Sequence, residues 1–222
     1  MKKSAFFFLF CAALLLAAAG PGQPADLWVD ADPSGGGDYQ SLQAALSHAQ
    51  DNGEDDTIRV VQGSYSGSFT YSSTQGNRIA LLAGYESVSA ARRINPKMTV
   101  LDGEGGGRVL FITNLVGGDI TVEGFTVRNG DAPGDGGGVY ARSVDDSGTA
   151  GTVALRYNIV CRNRAASGGG GVYARSCSET GSAGPVVIAG NIIAQNRANL
   201  GGGIFAASYS TQGSPDTLTL TN

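Results

Sequence analysis

Tyr140, Tyr173 and Phe205 recur at a nearly constant spacing, and Arg142 and Arg175 stand two positions beyond the first two. Ala207 takes the place of a third arginine. Residues two apart on an extended strand face the same way, so these side chains are expected to share one outward surface. An aromatic strip flanked by guanidinium groups can stack on sugar rings and pair with uronate carboxylates. Rings so placed can also stack on one another and simply cover the sheet. The same spacing separates two acids, Asp146 and Glu179, in polar loops. Brought together, two carboxylates could share a calcium ion; as solvated loop acids they would bind nothing.

These spacings belong to a longer repeat. Asn163-Arg-Ala-Ala-Ser-Gly-Gly-Gly-Gly-Val-Tyr173 is echoed by Asn129–Tyr140 upstream and by Asn196–Phe205 downstream. A fixed period of this size denotes stacked structural units. Each copy contains three strand-like pieces, with first and third members expected inward. The first pieces are 120–122, 153–155, 186–188 and 218–220. The second are Phe125–Val127, Ile159–Cys161 and Ile192–Ala194, and the third begin at Val139, Val172 and Ile204. Strands recurring without intervening helices are satisfied by a coil in which each pairs in parallel with its counterpart about 4.8 Å away. Asn129, Asn163 and Asn196 are then expected to form a ladder at one turn. The glycine triplets permit a tight bend with positive φ.

Ahead of the repeat, Leu42, Ala45, Leu46 and Ala49 fall on one helical face within 41–50, with Asp38 or Ser41 as cap and Asn52-Gly53 as stop. Short strands are expected at 27–29, 57–61, 78–82, 99–101, 109–112 and 120–127. The segment 1–25 combines Lys2-Lys3, an apolar run and a small-residue exit, as a secretory signal peptide does. The run is too short for a membrane span. Residues 26–118 then form the cap and first coils, and 119–222 the repeated coils. Loss of Lys2 and Lys3 moves the formal charge from −4 to −6, which argues against nucleic acid as a partner. Cys161 and Cys177 remain, on different strands, and a bond between them is not expected.

The copies N-x-A-x-x-G-G-G-[VI]-[YF], with Gly-Phe-Thr-Val-Arg-Asn at 124–129 and Thr-Val-Leu-Asp-Gly at 99–103, resemble the right-handed parallel β-helix proteins of the pectin-lyase-like superfamily. The segment from Leu27 to Tyr65 looks like the usual N-terminal lead-in of secreted bacterial members. The resemblance implies an all-β, right-handed parallel β-helix whose open end is plugged by an amphipathic helix. The scaffold carries lyases, hydrolases, epimerases and adhesins, so the fold does not fix the activity. The catalytic patterns of the polygalacturonases of this fold are absent: there is no G-H-G, no N-T-D, and no histidine after His48. Asp30, Asp32, Asp38, Asp102 and Glu104 read as turn residues, and Arg128 and Arg162 as a second basic column ending in Gln195. Leu218–Asn222 begins another copy, so more coils are expected beyond it.

The expectation is therefore an exported or cell-surface β-helix with a structural, adhesive or polysaccharide-binding role, without catalysis or a required cofactor. The alternative is a carbohydrate-active enzyme, a lyase or glycoside hydrolase, with catalytic coils partly beyond Asn222.

Overall fold

The computed structural model describes residues 25–144, 150–178, 182–210 and 217–221. The expected signal peptide, except Ala25, and the Asp146–Glu179 pair lie outside the described residues.

Three parallel sheets wind along the chain. The first contains Ala25–Val29, Asp56–Val61, Ile79–Tyr85, Ile120–Glu123, Val153–Arg156, Val186–Ala189 and Leu218–Thr221, in chain order. The second contains Gly63–Ser66, Thr99–Asp102, Thr126–Arg128, Ile159–Cys161 and Ile192–Ala194. The third contains Phe69–Ser73, Leu110–Asn114, Val139–Val144, Val172–Ser178 and Ile204–Ser210. A two-stranded ladder of Asp131–Ala132 and Arg164–Ala165 marks the corner between the second and third sheets. The fold is thus a parallel β-helix, nearly all-β, with a single helix among the described residues.

Inward side chains pile into files. Phe69, Leu110, Val139, Val172 and Ile204 stand in direct register, as do Ile79, Ile120, Val153 and Val186. Buried residues from Leu27 to Ile188 form one continuous core. Each large aliphatic in it contributes roughly 1.5–3 kcal/mol of burial.

The glycine triplets serve two separate needs. Only the first member of the aligned sets, Gly136, Gly169 and Gly201, has a left-handed φ, of 68°, 62° and 57°. In the first two sets the last member is required by close approach: a Cβ on Gly138 or Gly171 would lie 2.6 Å from the side-chain nitrogen of Asn163 or Asn196.

The helix Leu42–Asp51 buries Leu42, Ala45, Leu46 and Ala49, and Ser41 Oγ caps it by accepting the Ala44 N–H. It lies against the edge strand Phe69–Ser73 and replaces the missing neighbour with side chains. Gln43 Oε1 accepts the Thr70 N–H at 2.8 Å while Gln43 Nε2 donates to Thr70 O at 3.1 Å. Gln50 Oε1 accepts the Ser72 N–H at 3.1 Å. An edge that would otherwise template another chain is closed.

The second sheet departs from expectation by one residue. Thr126, Val127 and Arg128 pair with Ile159, Val160 and Cys161, and these with Ile192, Ile193 and Ala194. The middle residues therefore face the core, and Ile159, Cys161, Ile192 and Ala194 face outward. Phe125 sits over Asn158: the Phe125 N–H donates to Asn158 Oδ1 at 2.9 Å. Aligning Phe125 with Ile159 as two apolar residues misplaces the strand.

Candidate functional site

On the outer face of the third sheet, four rings rather than three form a column. Phe111 and Tyr140 have centroids 5.1 Å apart, Tyr140 and Tyr173 4.9 Å, and Tyr173 and Phe205 5.3 Å, with interplanar angles of 17°, 13° and 7°. The strands are in direct one-coil register, so like residues meet face to face. Ring faces that could stack on a sugar are thereby occupied by neighbouring rings. The guanidinium of Arg108 lies 5.3 and 4.6 Å from the Phe111 and Tyr140 centroids and donates to the carbonyls of Asp135 and Gly136. Tyr173 is nearly buried, at 8 % exposure. That burial raises its phenol pKa and the Asp135 carboxylate adds to the effect, while Arg175 opposes it, so the hydroxyl stays protonated near neutral pH.

Arg142 and Arg175 stand in direct register on this face, and both are half-buried. Each leans toward the following coil: Arg142 Nη2 reaches Cys177 Sγ at 3.7 Å, and the Arg175 guanidinium lies 4.6 Å from the Tyr209 ring centroid. Arg142 Nε is buried without a hydrogen-bond partner. Among the described residues, neither arginine forms an ion pair with a carboxylate. The expected aromatic and basic residues are thus brought together on one surface. Phe111 and Arg108 were missed because in that coil Arg108-Val109 separate the triplet Gly105–Gly107 from Leu110-Phe111, whereas in the later copies the triplet runs straight into the aliphatic–aromatic pair, although Phe111 precedes Tyr140 by only slightly less than Tyr140 precedes Tyr173.

The asparagine ladder contains Asn163 and Asn196 but not Asn129. Asn163 Nδ2 donates to Asn196 Oδ1 at 3.1 Å and to Val127 O at 3.1 Å, and its Oδ1 accepts the Gly130 N–H at 2.9 Å. Asn129 falls one position earlier, at a left-handed site with φ 56° that Arg162 and Gln195 also occupy, with φ 57° and 56°. Its amide instead donates to both oxygens of Asp102, at 2.9 and 3.1 Å. The same offset places Arg128 over Cys161, so Arg128 and Arg162 do not share a column. A further ladder, Asn158 over Asn191, was legible in the sequence as one more pair at the repeat spacing; Asn158 Nδ2 donates to Asn191 Oδ1 at 3.1 Å.

Asp102 is committed to structure. Burial pushes its carboxyl up, but bonds from Asn129, the Glu104 N–H and Arg128 outweigh it, and the net shift is downward. Arg128 Nε lies 2.8 Å from it. A groove of about 390 Å³ crosses the first sheet, lined by Asp55, Asp56, Thr57, Arg78, Asp119 and Thr121 among others. Burial raises the Asp56 carboxyl, against hydrogen bonds from Asn52 to both its oxygens. Asp55 and Asp119 accept the backbone N–H groups of Arg78 and Thr152.

No group of three or more potential metal ligands occurs among the described residues. Cys161 and Cys177 are free thiols. His48 is exposed on the helix, its ring 5.8 Å from that of Tyr39. Among the described residues no helix is long and apolar enough to cross a membrane.

No protein-family model matches the chain, and no curated protein does. Among solved structures, YbhC of Escherichia coli is similar at 12 % identity and a TM-score of 0.41, over 90 % of this chain and 70 % of that one. A likeness this distant carries no inference about activity.

Proposed function

We propose that the chain is an exported or cell-surface β-helix of the pectin-lyase-like kind, with a structural or adhesive role exercised by binding polysaccharide. The observation that carries this reading is the paired Arg142 and Arg175, held in register beside the Tyr140 and Tyr173 hydroxyls with no carboxylate partner among the described residues. Like charges directly opposite each other repel, and an acidic sugar lying across them relieves that repulsion with charge-assisted hydrogen bonds. Stacked rings leave edges and hydroxyls for contact, so recognition is polar rather than by ring stacking. The test is retention of the full chain on an immobilised acidic polysaccharide. Arg142→Gln with Arg175→Gln is expected to lower the salt needed for elution; unchanged elution discards this face as the site.

A second reading, a carbohydrate-active enzyme, draws on the first-sheet groove, where Asp56 carries a raised pKa beside Asp55 and Asp119. Release of unsaturated uronates from pectin or alginate, abolished by Asp119→Asn, would favour it.

A further inference from the structure

The corner between the first and second sheets is short in every described coil but one. It takes Gln62 alone at the start of the winding, and Gly124-Phe125, Tyr157-Asn158 and Gly190-Asn191 in the later coils. Between the strands Ile79–Tyr85 and Thr99–Asp102 it is enlarged to the segment 86–98. A connection this long, without strand or helix of its own, is uncommon in a compact fold and usually serves a function. The insertion is held down along its second half. The Arg93 N–H donates to Gly84 O at 2.7 Å, and Arg92 Nε donates to Ala83 O at 2.9 Å. Arg92 also pairs with Glu123 at 2.6 Å. Pro96 O accepts from Thr126 Oγ1 at 2.7 Å, and Met98 O accepts the Gly63 N–H at 2.9 Å. Gly84 makes the approach possible: its φ is 105°, and a Cβ there would lie 2.6 Å from Arg93 O.

Between this insertion and the coil lies a cavity of about 280 Å³. The buried Gly84 and Tyr85 close it on the inside, and the exposed Gln62, Glu86, Arg93, Asn95 and Met98 surround it. The volume sits at the lower end of the range for small-molecule sites, so it admits one small molecule rather than a length of polymer. Among the described residues, no hydrogen bond or ion pair engages the side chains of Gln62, Glu86 or Arg93. Asn95 Oδ1 accepts the Lys97 N–H at 3.3 Å, which leaves its amide hydrogens for another partner. Glu86 and Arg93 are therefore opposite charges that border one cavity without neutralising each other. Met98, 48 % exposed, supplies the apolar surface beside them.

We infer that this cavity binds a small zwitterion, an α-amino acid with an aliphatic side chain. Arg93 takes the carboxylate and Glu86 the ammonium, both through charge-assisted hydrogen bonds. The amides of Gln62 and Asn95 donate to the carboxylate oxygens left over, and the flexible Met98 thioether packs on the aliphatic part. A ligand with one charge is attracted by one of the two ions and repelled by the other, and that repulsion is what makes the site selective. The site is separate from the Arg142 and Arg175 face, and it does not depend on any binding of polysaccharide there.

The test is isothermal titration of the full chain with L-leucine, with leucinamide, which lacks the carboxylate, and with N-acetylleucine, which lacks the ammonium. Leucine is expected to bind saturably, and each analogue about tenfold more weakly or worse. Arg93→Gln and Glu86→Gln are each expected to weaken leucine by a similar factor. Arg142→Gln with Arg175→Gln is expected to leave leucine binding as it is. Both Glu86 and Arg93 side chains are exposed, and an unchanged circular dichroism spectrum and unfolding midpoint establish that the variants fold. Absence of saturable leucine binding, binding that survives Arg93→Gln or Glu86→Gln, or an analogue that binds as tightly as leucine overturns the proposal. Loss of leucine binding only in the Arg142 and Arg175 variant also overturns it, by moving the site to the third sheet.

Discussion

Asn196 Oδ1 accepts both the backbone N–H and the side-chain amide of Asn163, at 2.9 and 3.1 Å. One oxygen thus ties two groups of the preceding coil, and Asn163 reaches back one coil earlier in the same way, its own Oδ1 accepting the Gly130 N–H. Replacing Asn163 with Ala strands the Gly130 N–H inside the coil and removes two further bonds, to Val127 O and Asn196 Oδ1. Each buried orphan costs about 1–3 kcal/mol, so urea unfolding of Asn163→Ala is expected to show a loss of about 3 kcal/mol or more. Asn199→Ala, which removes an exposed bond to Ala166 O, is expected to cost under about 1 kcal/mol.

The ring column separates stability from recognition. Tyr173→Ala leaves a gap between Tyr140 and Phe205 and is expected to cost about 3 kcal/mol. Tyr173→Phe keeps the stack and removes only the hydroxyl. Thermal unfolding should shift for the first and hardly for the second. Tyr173→Phe is therefore the variant whose polysaccharide retention reports on binding alone.

Removing the side-chain seal of the sheet edge should change association rather than the core. Gln43→Ala with Gln50→Ala exposes the N–H groups of Thr70 and Ser72. Light scattering at rising concentration is expected to reveal aggregation absent from wild type, accompanied by a stability loss of about 2–3 kcal/mol.

Acid should weaken the corner around Asp102. Its folded pKa lies below the ordinary value, so the unfolded chain takes up a proton first, near pH 4. The stabilisation is complete above that pH and is lost as pH falls through the folded value. Asp102→Asn is expected to flatten this part of the acid unfolding profile.

Alkali acts through buried phenols. Burial pushes Tyr65 and Tyr71 up to about 12, whereas the unfolded chain releases these protons near pH 10. Between those values the unfolded state holds fewer protons, so stability falls as pH rises. Tyr65→Phe should shrink that fall, read by unfolding midpoints from pH 9 to 12.

The winding, the inward files and the capping helix were legible because period and alternation report directly on which side chains are buried. The helix face Leu42, Ala45, Leu46 and Ala49 matches residue by residue. Register was harder where one slot accepts chemically unlike residues. Phe125 fills the position that Asn158 and Asn191 fill in later coils, and Asn129 shares its slot with Arg162 and Gln195. Matching residue types across copies therefore slipped by one, and carried Arg128 with it. The seal by Gln43 and Gln50 left no periodic trace at all, since it occurs once, at the start.

That seal also gives the winding a direction. With the starting edge of the third sheet closed by amide groups, fresh strands can join that sheet only at its opposite rim. A chain threading out amino terminus first meets that rule: each finished loop serves as the mould for the next, and nothing already wound must reopen to admit it.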